Sequence, residues 1–385
     1  MEFLGYRRPD GKVGIRNHTL IIPTSVCSST VAFHISQQVP GTVALANQHG
    51  CCQIGADYEQ TLRTLINLGK NPNVGAVLVV GLGCEGVPIH QVVAEIGATG
   101  KPVEVVVIQE VGGTLRATAE GVRKIVELTR QVDHLQPEKI NISELSLAIE
   151  CGGSDFTSGL ASNPAAGIAA DLLEAAGGNV MLSETTEFIG AEHILARRAK
   201  SPEVAEKLFK IVRDCEERAK FSNFDLRDGQ PTPGNIAGGI SSIEEKSLGC
   251  IYKAGHALIQ GVLKYGEIPG EKGLYIMDSP GQDVDSVSGM LASGATVVIF
   301  TTGRGTPTGS PIAPVIKITA NERTFKMMED NMDIDASSII TGQETIEQVG
   351  QRIFNEIIHV ANGRKSKAEI LGHQEFGIYK IAPTF

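Results

Sequence analysis

The feature that most constrains this chain is a recurring unit: a short, unbroken apolar run, a turn of small residues, then a helical stretch. The runs include Thr19–Val26, Ala76–Val80, Leu145–Ile149 and Thr296–Phe300. Strands that are apolar on both faces and alternate with helices predict parallel sheets covered on both sides. Further strands are expected at Thr42–Ala46, Val103–Ile108, Asn179–Leu182, Leu274–Met277 and Val315–Ile318. Helices are expected near Asp57–Leu68, Thr114–Arg130, Pro164–Ala176, Glu203–Arg218, Ile243–Val262 and Thr345–Ala361. The expected fold class is α/β, with two parallel-sheet, Rossmann-like domains. At 385 residues the chain has room for both. His134–Asn141, which carries Pro137, is the expected linker between an N-terminal domain at 1–138 and a C-terminal catalytic region at 139–385.

Composition narrows the function class. Lys and Arg total 34 against 44 Asp and Glu, a net charge of −10, which argues against a phosphate-reading nucleic-acid surface. No apolar run approaches the length of a membrane span, and MEFLGYRRPDG has no apolar segment before its charges. A cytoplasmic protein with no membrane partner is the expectation. Seven cysteines, an odd number without secretory context, are expected as thiols rather than as a disulfide framework.

Those thiols fall at strand exits. Cys27 ends TLIIPTSVC, Cys51 and Cys52 follow TVALA, Cys84 follows AVLVVGLG, and Cys151 follows LSLAIE. The carboxyl ends of parallel strands share one edge, where ligands bind. Each cysteine alone could equally be a small buried hydrophobe. As a group they suit a soft or borderline metal such as Fe²⁺ or Zn²⁺. The absence of a CxxC pair excludes a zinc ribbon, and an iron–sulfur centre stays open.

GLGCEG, Gly81–Gly86, satisfies GxGxxG after a strand. However, Pro88 delays the helix, and Cys84 with Glu85 crowds the turn that a pyrophosphate would approach. No NAD site is expected. His49, in NQHGCC, stands in a turn and could transfer a proton or bind metal. The run Cys151-Gly-Gly-Ser-Asp155 fits an anion-binding turn or a plain helix cap. Glu184 and Glu187 flank a turn where one could meet substrate and the other cap a helix. Ser241 and Glu244 have capping-box spacing, which leaves Glu245 and Lys246 as chemical candidates. Arg304, between glycines after TVVIF, can present its fork to a carboxylate or form an interdomain ion pair.

Together these segments resemble the altronate/galactarate dehydratase family, specifically its large C-terminal region, which includes the large subunit of sulfolactate sulfo-lyase. The motifs are GYRRPDGKVGIRN (Gly5–Asn17), GLGCE, CGGSD, IEEKSLGC (Ile243–Cys250), MDSPG (Met277–Gly281), TTGRGTPTG (Thr301–Gly309) and MDIDAS (Met332–Ser337). They cover almost the whole chain. The resemblance implies a metal-dependent hydro-lyase that converts a hydroxylated sugar acid such as altronate or galactarate to a 2-keto-3-deoxy acid. The alternatives are release of sulfite from sulfolactate and a noncatalytic acid-binding subunit. The short N-terminal β-rich domain of the single-chain dehydratases is expected as a separate small subunit, within an oligomer. LGHQEF, Leu371–Phe376, looks like the sulfo-lyase branch.

On this reading His49 or Lys246 transfers the proton, and Arg16, Asn17, Asp155 and Arg304 hold the substrate. Cys51, Cys84, Glu85 and Cys151 bind a divalent metal, Fe²⁺ first and Mn²⁺ second.

Overall fold

The computed structural model describes residues 1–221 and 223–382. It contains two parallel α/β sheets and one small antiparallel sheet. In the antiparallel sheet β1 (Glu2–Arg7) pairs with both β2 (Val13–Gly14) and β7 (Glu138–Asn141). The segment expected as a linker therefore supplies a strand. Its polar sequence EKIN buries only Ile140, so no apolar run marks it.

The first parallel sheet is built from β3 (His18–Pro23), β4 (Thr42–Ala44), β5 (Val74–Gly81) and β6 (Val103–Val107), in the order β4-β3-β5-β6. All eight residues of β5 are buried, as a strand covered on both faces requires. The second sheet comprises β8 (Ser146–Gly152), β9 (Asn179–Leu182), β10 (Ile259–Leu263), β11 (Leu274–Met277), β12 (Val297–Thr302), β13 (Val315–Thr319) and β14 (Ile334–Asp335). Its order is β10-β11-β9-β8-β12-β13-β14, with every pair parallel.

In each sheet the chain winds outward on one side of its first parallel strand and returns on the other. That creates a crevice between β3 and β5, and another between β8 and β12. Such switch points, at the carboxyl ends of the strands, are where open α/β sheets bind ligands.

One expected helix is cut short. The pattern from Ile243 to Val262 is helical only to Cys250, continues as a single 3-10 turn to Ala254, and gives way to β10. The two sheets share an apolar core in which Leu20, Ile22 and Leu65 meet Met277, Phe300 and Val315. Buried amides pin it: Asn71 Nδ2 donates to the carbonyls of Leu291 and Ala295, both at 2.8 Å. Asn73 Nδ2 donates to Thr296 and Ile312 at 2.8 and 2.9 Å. Leaving these carbonyls unpaired would cost about 1–3 kcal/mol each, so the sheets are fixed relative to each other.

Candidate functional site

Beneath the β8/β12 crevice lies a dense set of buried charged and thiol side chains. Glu150 and Cys151 come from the end of β8, and Glu184 and Glu187 from the turn after β9. Lys246 and Cys250 lie on the helix Ile243–Cys250, Lys253 on the 3-10 turn after it, and Asp283 opens the helix Asp283–Ala292. Parallel strands all release their chains at one edge, and this is why residues so distant in sequence converge.

Two groups have ligand atoms within 4.8 Å of one another: Glu150 with Glu184 and Asp283, and Cys151 with Glu187 and Cys250. In the second group Cys151 Sγ is 3.2 Å from both oxygens of Glu187 and 3.5 Å from Cys250 Sγ. Lys253, fully buried, donates to Glu184 Oε2 at 2.8 Å and to Glu187 Oε2. Lys246, with 14% of its side chain exposed, lies 3.4 Å from Glu187 Oε1 and donates to Gln230 Oε1 at 3.3 Å. The Cys151 N–H donates to Glu184 Oε2 at 3.1 Å.

Backbone detail serves this convergence. Glu184 adopts a φ of 71°, a left-handed conformation uncommon for its residue type and often found at functional sites. At Gly152 a Cβ would lie 2.4 Å from Asp283 Oδ2, so only glycine lets that carboxylate approach the end of β8.

The electrostatics follow from burial. Burial first, then the charge of Glu184, holds Glu150 well above the usual carboxylate range. Burial and the neighbouring Glu187 push Glu184 up to about 8. Burial and Glu187 raise Asp283 to about 6. Lys246 is raised, because the surrounding carboxylates and thiols outweigh burial, so it stands as an ammonium. Glu150 Oε2 accepts from Ser286 Oγ at 2.6 Å, whereas Oε1 is buried with no hydrogen-bond partner. Three clustered carboxylates, one with an orphaned oxygen, match a divalent cation taking oxygen ligands. The thiol pair with Glu187 matches a softer ion such as Fe²⁺ or Zn²⁺. The residues present therefore fit a divalent metal.

Two cavities open beside the cluster. One of about 300 Å³ is lined by Lys246, Cys250, Glu245 and Ser154, and one of about 570 Å³ by Arg304, Arg323, Asn321 and Gly303. Asp155 and Phe156 line both, so the two adjoin. Arg304 is exposed, and no hydrogen bond or ion pair of its guanidinium is found among the described residues. Asp155 is instead engaged with the protein: Oδ1 accepts from Thr157 N–H at 2.9 Å and Thr157 Oγ1 at 2.6 Å, and Oδ2 from Asn321 Nδ2 at 2.8 Å. That leaves it shaping the cavity wall.

Several sequence expectations separate here. Arg16 and Asn17 are engaged by other parts of the chain. All five N–H groups of Arg16 are taken: two by Glu369 (2.7 and 2.9 Å) and one each by the carbonyls of Ile15, Val360 and Arg364. Asn17 accepts from Arg8 and donates to the Val132 carbonyl. A substrate carboxylate would find no free donor on Arg16.

The expected metal set also divides. Cys151 joins Glu187 and Cys250, whereas Cys51, Cys84 and Glu85 lie at the edge of the first sheet, where both Glu85 oxygens already accept from Thr24 Oγ1 and the Leu82 and Gly83 N–H groups. His49 and Lys246 line different cavities. His49, whose Nε2 is 2.6 Å from the Ile378 carbonyl, faces a cavity walled by Gln282, Val284 and Glu375. The helix cap is Ser242 rather than Ser241, with Glu245 bonded to Ser241, while the expected capping residue Glu244 pairs with Arg227.

Sequence reasoning missed Glu150, Lys253 and Asp283. For Glu150 a signal existed: a carboxylate closing an otherwise apolar strand, LSLAIE.

Comparisons with known proteins agree along the whole chain. A family model described as D-galactarate/Altronate dehydratase, C-terminal, matches residues 142–384. A second, D-galactarate dehydratase/Altronate hydrolase, second domain, matches residues 5–133. The (2R)-sulfolactate sulfo-lyase subunit beta of Chromohalobacter salexigens is 40% identical, covering 98% of this chain and 97% of that protein. Altronate dehydratase of Bacillus subtilis is 35% identical, covering 99% of this chain and 78% of its own length. Galactarate dehydratase (L-threo-forming) of Escherichia coli is 37% identical, with 99% and 77% covered.

Proposed function

This chain belongs to the D-galactarate/altronate dehydratase family, and from that premise we propose that it is a metal-dependent hydro-lyase that removes water from a hydroxylated sugar acid. The observation that carries the reading is the pair of metal-competent groups at the β8/β12 crevice, beside adjoining cavities that offer an arginine unpartnered among the described residues at one end and a lysine ammonium at the other.

The chemistry needs three things. The substrate carboxylate must be held, the charge that builds up when the α-proton leaves must be stabilised, and the β-hydroxyl must depart as water. Arg304 provides a bidentate fork for the carboxylate. Lys246 carries a proton at Nζ beside the metal-competent groups and passes it to the departing hydroxyl. His49, its Nε2 donating to the Ile378 carbonyl and its Nδ1 left as the acceptor nitrogen, is the candidate base that takes the α-proton. Glu150, Glu184 and Asp283, or Cys151, Glu187 and Cys250, would hold the divalent ion, with Fe²⁺ favoured where the thiols ligate. When bound, the metal supplies Lewis-acid stabilisation of charge on substrate oxygens. The enol left by loss of water becomes the 2-keto-3-deoxy acid.

A second reading has its own support. The similarity to the sulfo-lyase subunit spans nearly the full length of both chains. In that case the leaving group is sulfite, which departs as an anion, the α-proton chemistry is the same, and a separate small subunit is the partner. No helix among the described residues is long and apolar enough to cross a membrane.

The test is an anaerobic assay of Fe²⁺-loaded protein, with and without a small subunit, that follows keto acid and sulfite from altronate, galactarate and sulfolactate. Keto acid without sulfite supports the hydro-lyase; sulfite moves the assignment to the second reading. A folded, metal-loaded protein that produces neither would refute both.

A further inference from the structure

Cysteine is among the most consistently buried residue types, yet four of the seven here are exposed: Cys27, Cys51, Cys52 and Cys84. All four stand at the carboxyl edge of the first parallel sheet, around its β3/β5 crevice, and none belongs to the two metal-competent groups of the second sheet.

The three turns that carry them are clasped together. Val26 N–H donates to the His49 carbonyl at 2.9 Å, and Gly86 and Val87 N–H donate to the Gly50 carbonyl at 2.9 and 3.2 Å. Thr24 Oγ1 donates to Glu85 Oε1 at 2.5 Å, and Asn47 Nδ2 to the Pro23 carbonyl at 2.9 Å. Gly50, at φ 103°, lies so close to Thr24 that a Cβ would sit 2.0 Å from its carbonyl oxygen. Few-residue turns this tightly tied hold their side chains in a fixed relation.

The local donors suit an anionic, sulfur-rich ligand. Gln109 Nε2 points at Cys84 Sγ from 3.3 Å, and Cys27 lies in the first turn of the 13-residue helix Val26–Gln38, where the helix dipole favours negative charge. Cys51 and Cys52 Sγ are 3.8 Å apart. Among the described residues no three ligand atoms at this edge come within 4.8 Å of one another, in contrast to the lyase cluster. A single tetrahedral ion needs such convergence. A cluster, whose thiolates each bind a different iron, needs wider spacing.

We propose that these turns bind an iron–sulfur cluster through Cys27, Cys84 and one thiolate of the Cys51–Cys52 pair. Ligation exchanges three thiol protons for three iron–sulfur bonds and moves no electrons, the iron being supplied half ferric and half ferrous so that the cluster's oxidation level is met. The site does not rest on the lyase reading, and its test does not use activity.

The full chain, reconstituted anaerobically with sulfide and an equal mixture of ferrous and ferric iron, should carry about two to four acid-labile sulfides with matching iron beyond the ion of the lyase site, and sulfide-to-iron charge-transfer absorption. Cys27→Ser, Cys84→Ser and the double variant C51S/C52S should each lose most of that sulfide and absorption while keeping wild-type far-UV circular dichroism. C151S/C250S and Cys215→Ser should retain both. A chain that takes up iron but no acid-labile sulfide would overturn the proposal. So would a cluster that survives removal of Cys27, Cys51, Cys52 and Cys84 together.

Discussion

Glu184 and Glu187, three residues apart, share the ammonium of Lys253 and are nevertheless driven in opposite directions. For Glu184, burial prevails and lifts the carboxyl to about 8. For Glu187, burial is outweighed by Lys253 and Lys246 together, which pull it down to about 2. One carboxyl is thus held as a fixed anion, and its neighbour has an affinity for a proton or a metal.

Lys253 is the hinge of that arrangement. Lys253→Met would leave Glu187 buried beside one half-buried lysine, so we expect a loss of about 3–5 kcal/mol in unfolding free energy, the usual cost of breaking a buried pair from one side. Denaturant melts of the metal-free protein measure it. A variant as stable as the parent would mean that the cluster carries no such charge.

Arg16 and Arg304 should separate cleanly. Arg304, exposed and unpartnered among the described residues, should leave stability within about 0.5 kcal/mol when changed to Ala, while kcat/KM for acid substrates falls about 10- to 100-fold. Arg16→Ala should instead lower stability by about 1–3 kcal/mol, through the loss of Glu369 and three carbonyl contacts. Its effect on KM should be slight once folding is accounted for. The reverse pattern would exchange their roles.

Stability should also depend on His18. Burial, then the nearby Arg16 charge, lowers its imidazole from 6.5 to about 4. The folded state therefore keeps the ring neutral where the unfolded chain binds a proton. The contribution is fully present above about 6.5 and declines as pH falls toward 4, where the folded ring also protonates. Denaturant midpoints taken from pH 7.5 to 4 should fall less steeply for His18→Gln than for the parent; parallel curves would remove His18 from the account.

Much of this architecture is legible in the sequence because parallel strands must be apolar on both faces. VGAVLVVG, SLAIECG and VVIFTT announce β5, β8 and β12, and the small-residue turns after them mark the ligand edge. The antiparallel sheet is not, since β7 is short and polar and gains its place only by pairing with β1. The break at Gly255, φ 61°, is also hidden, because IYKAGHALIQ keeps an apolar rhythm compatible with a helix. Cys151 at the end of its strand, Arg304 in the turn after β12 and Lys246 near its helix start stand out by position. Lys253 and Asp283 do not: one sits in an ordinary-looking helical pattern and the other at a common helix start. Only tertiary packing shows that their charges are enclosed. The engagement of Arg16 is hidden for the same reason, since its partner Glu369 lies 353 positions away.

Glu150 offers the sharpest test of which group holds the metal. Its carboxyl is held well above the usual range by burial and by Glu184, so in the metal-free protein Gln is close to an isosteric replacement for the protonated acid. Glu150→Gln should therefore leave metal-free stability unchanged or slightly raised. If the ion sits on Glu150, Glu184 and Asp283, replacing an anionic ligand with an amide should weaken divalent-metal affinity at least as much as loss of a supporting contact does, about 10- to 100-fold. Cys151→Ser should then have little effect on that affinity. If Cys151→Ser abolishes binding while Glu150→Gln preserves it, the ion belongs to Cys151, Glu187 and Cys250, and the carboxylate triad serves the substrate. Isothermal titration of Fe²⁺ or Mn²⁺ into each variant under anaerobic conditions decides between them.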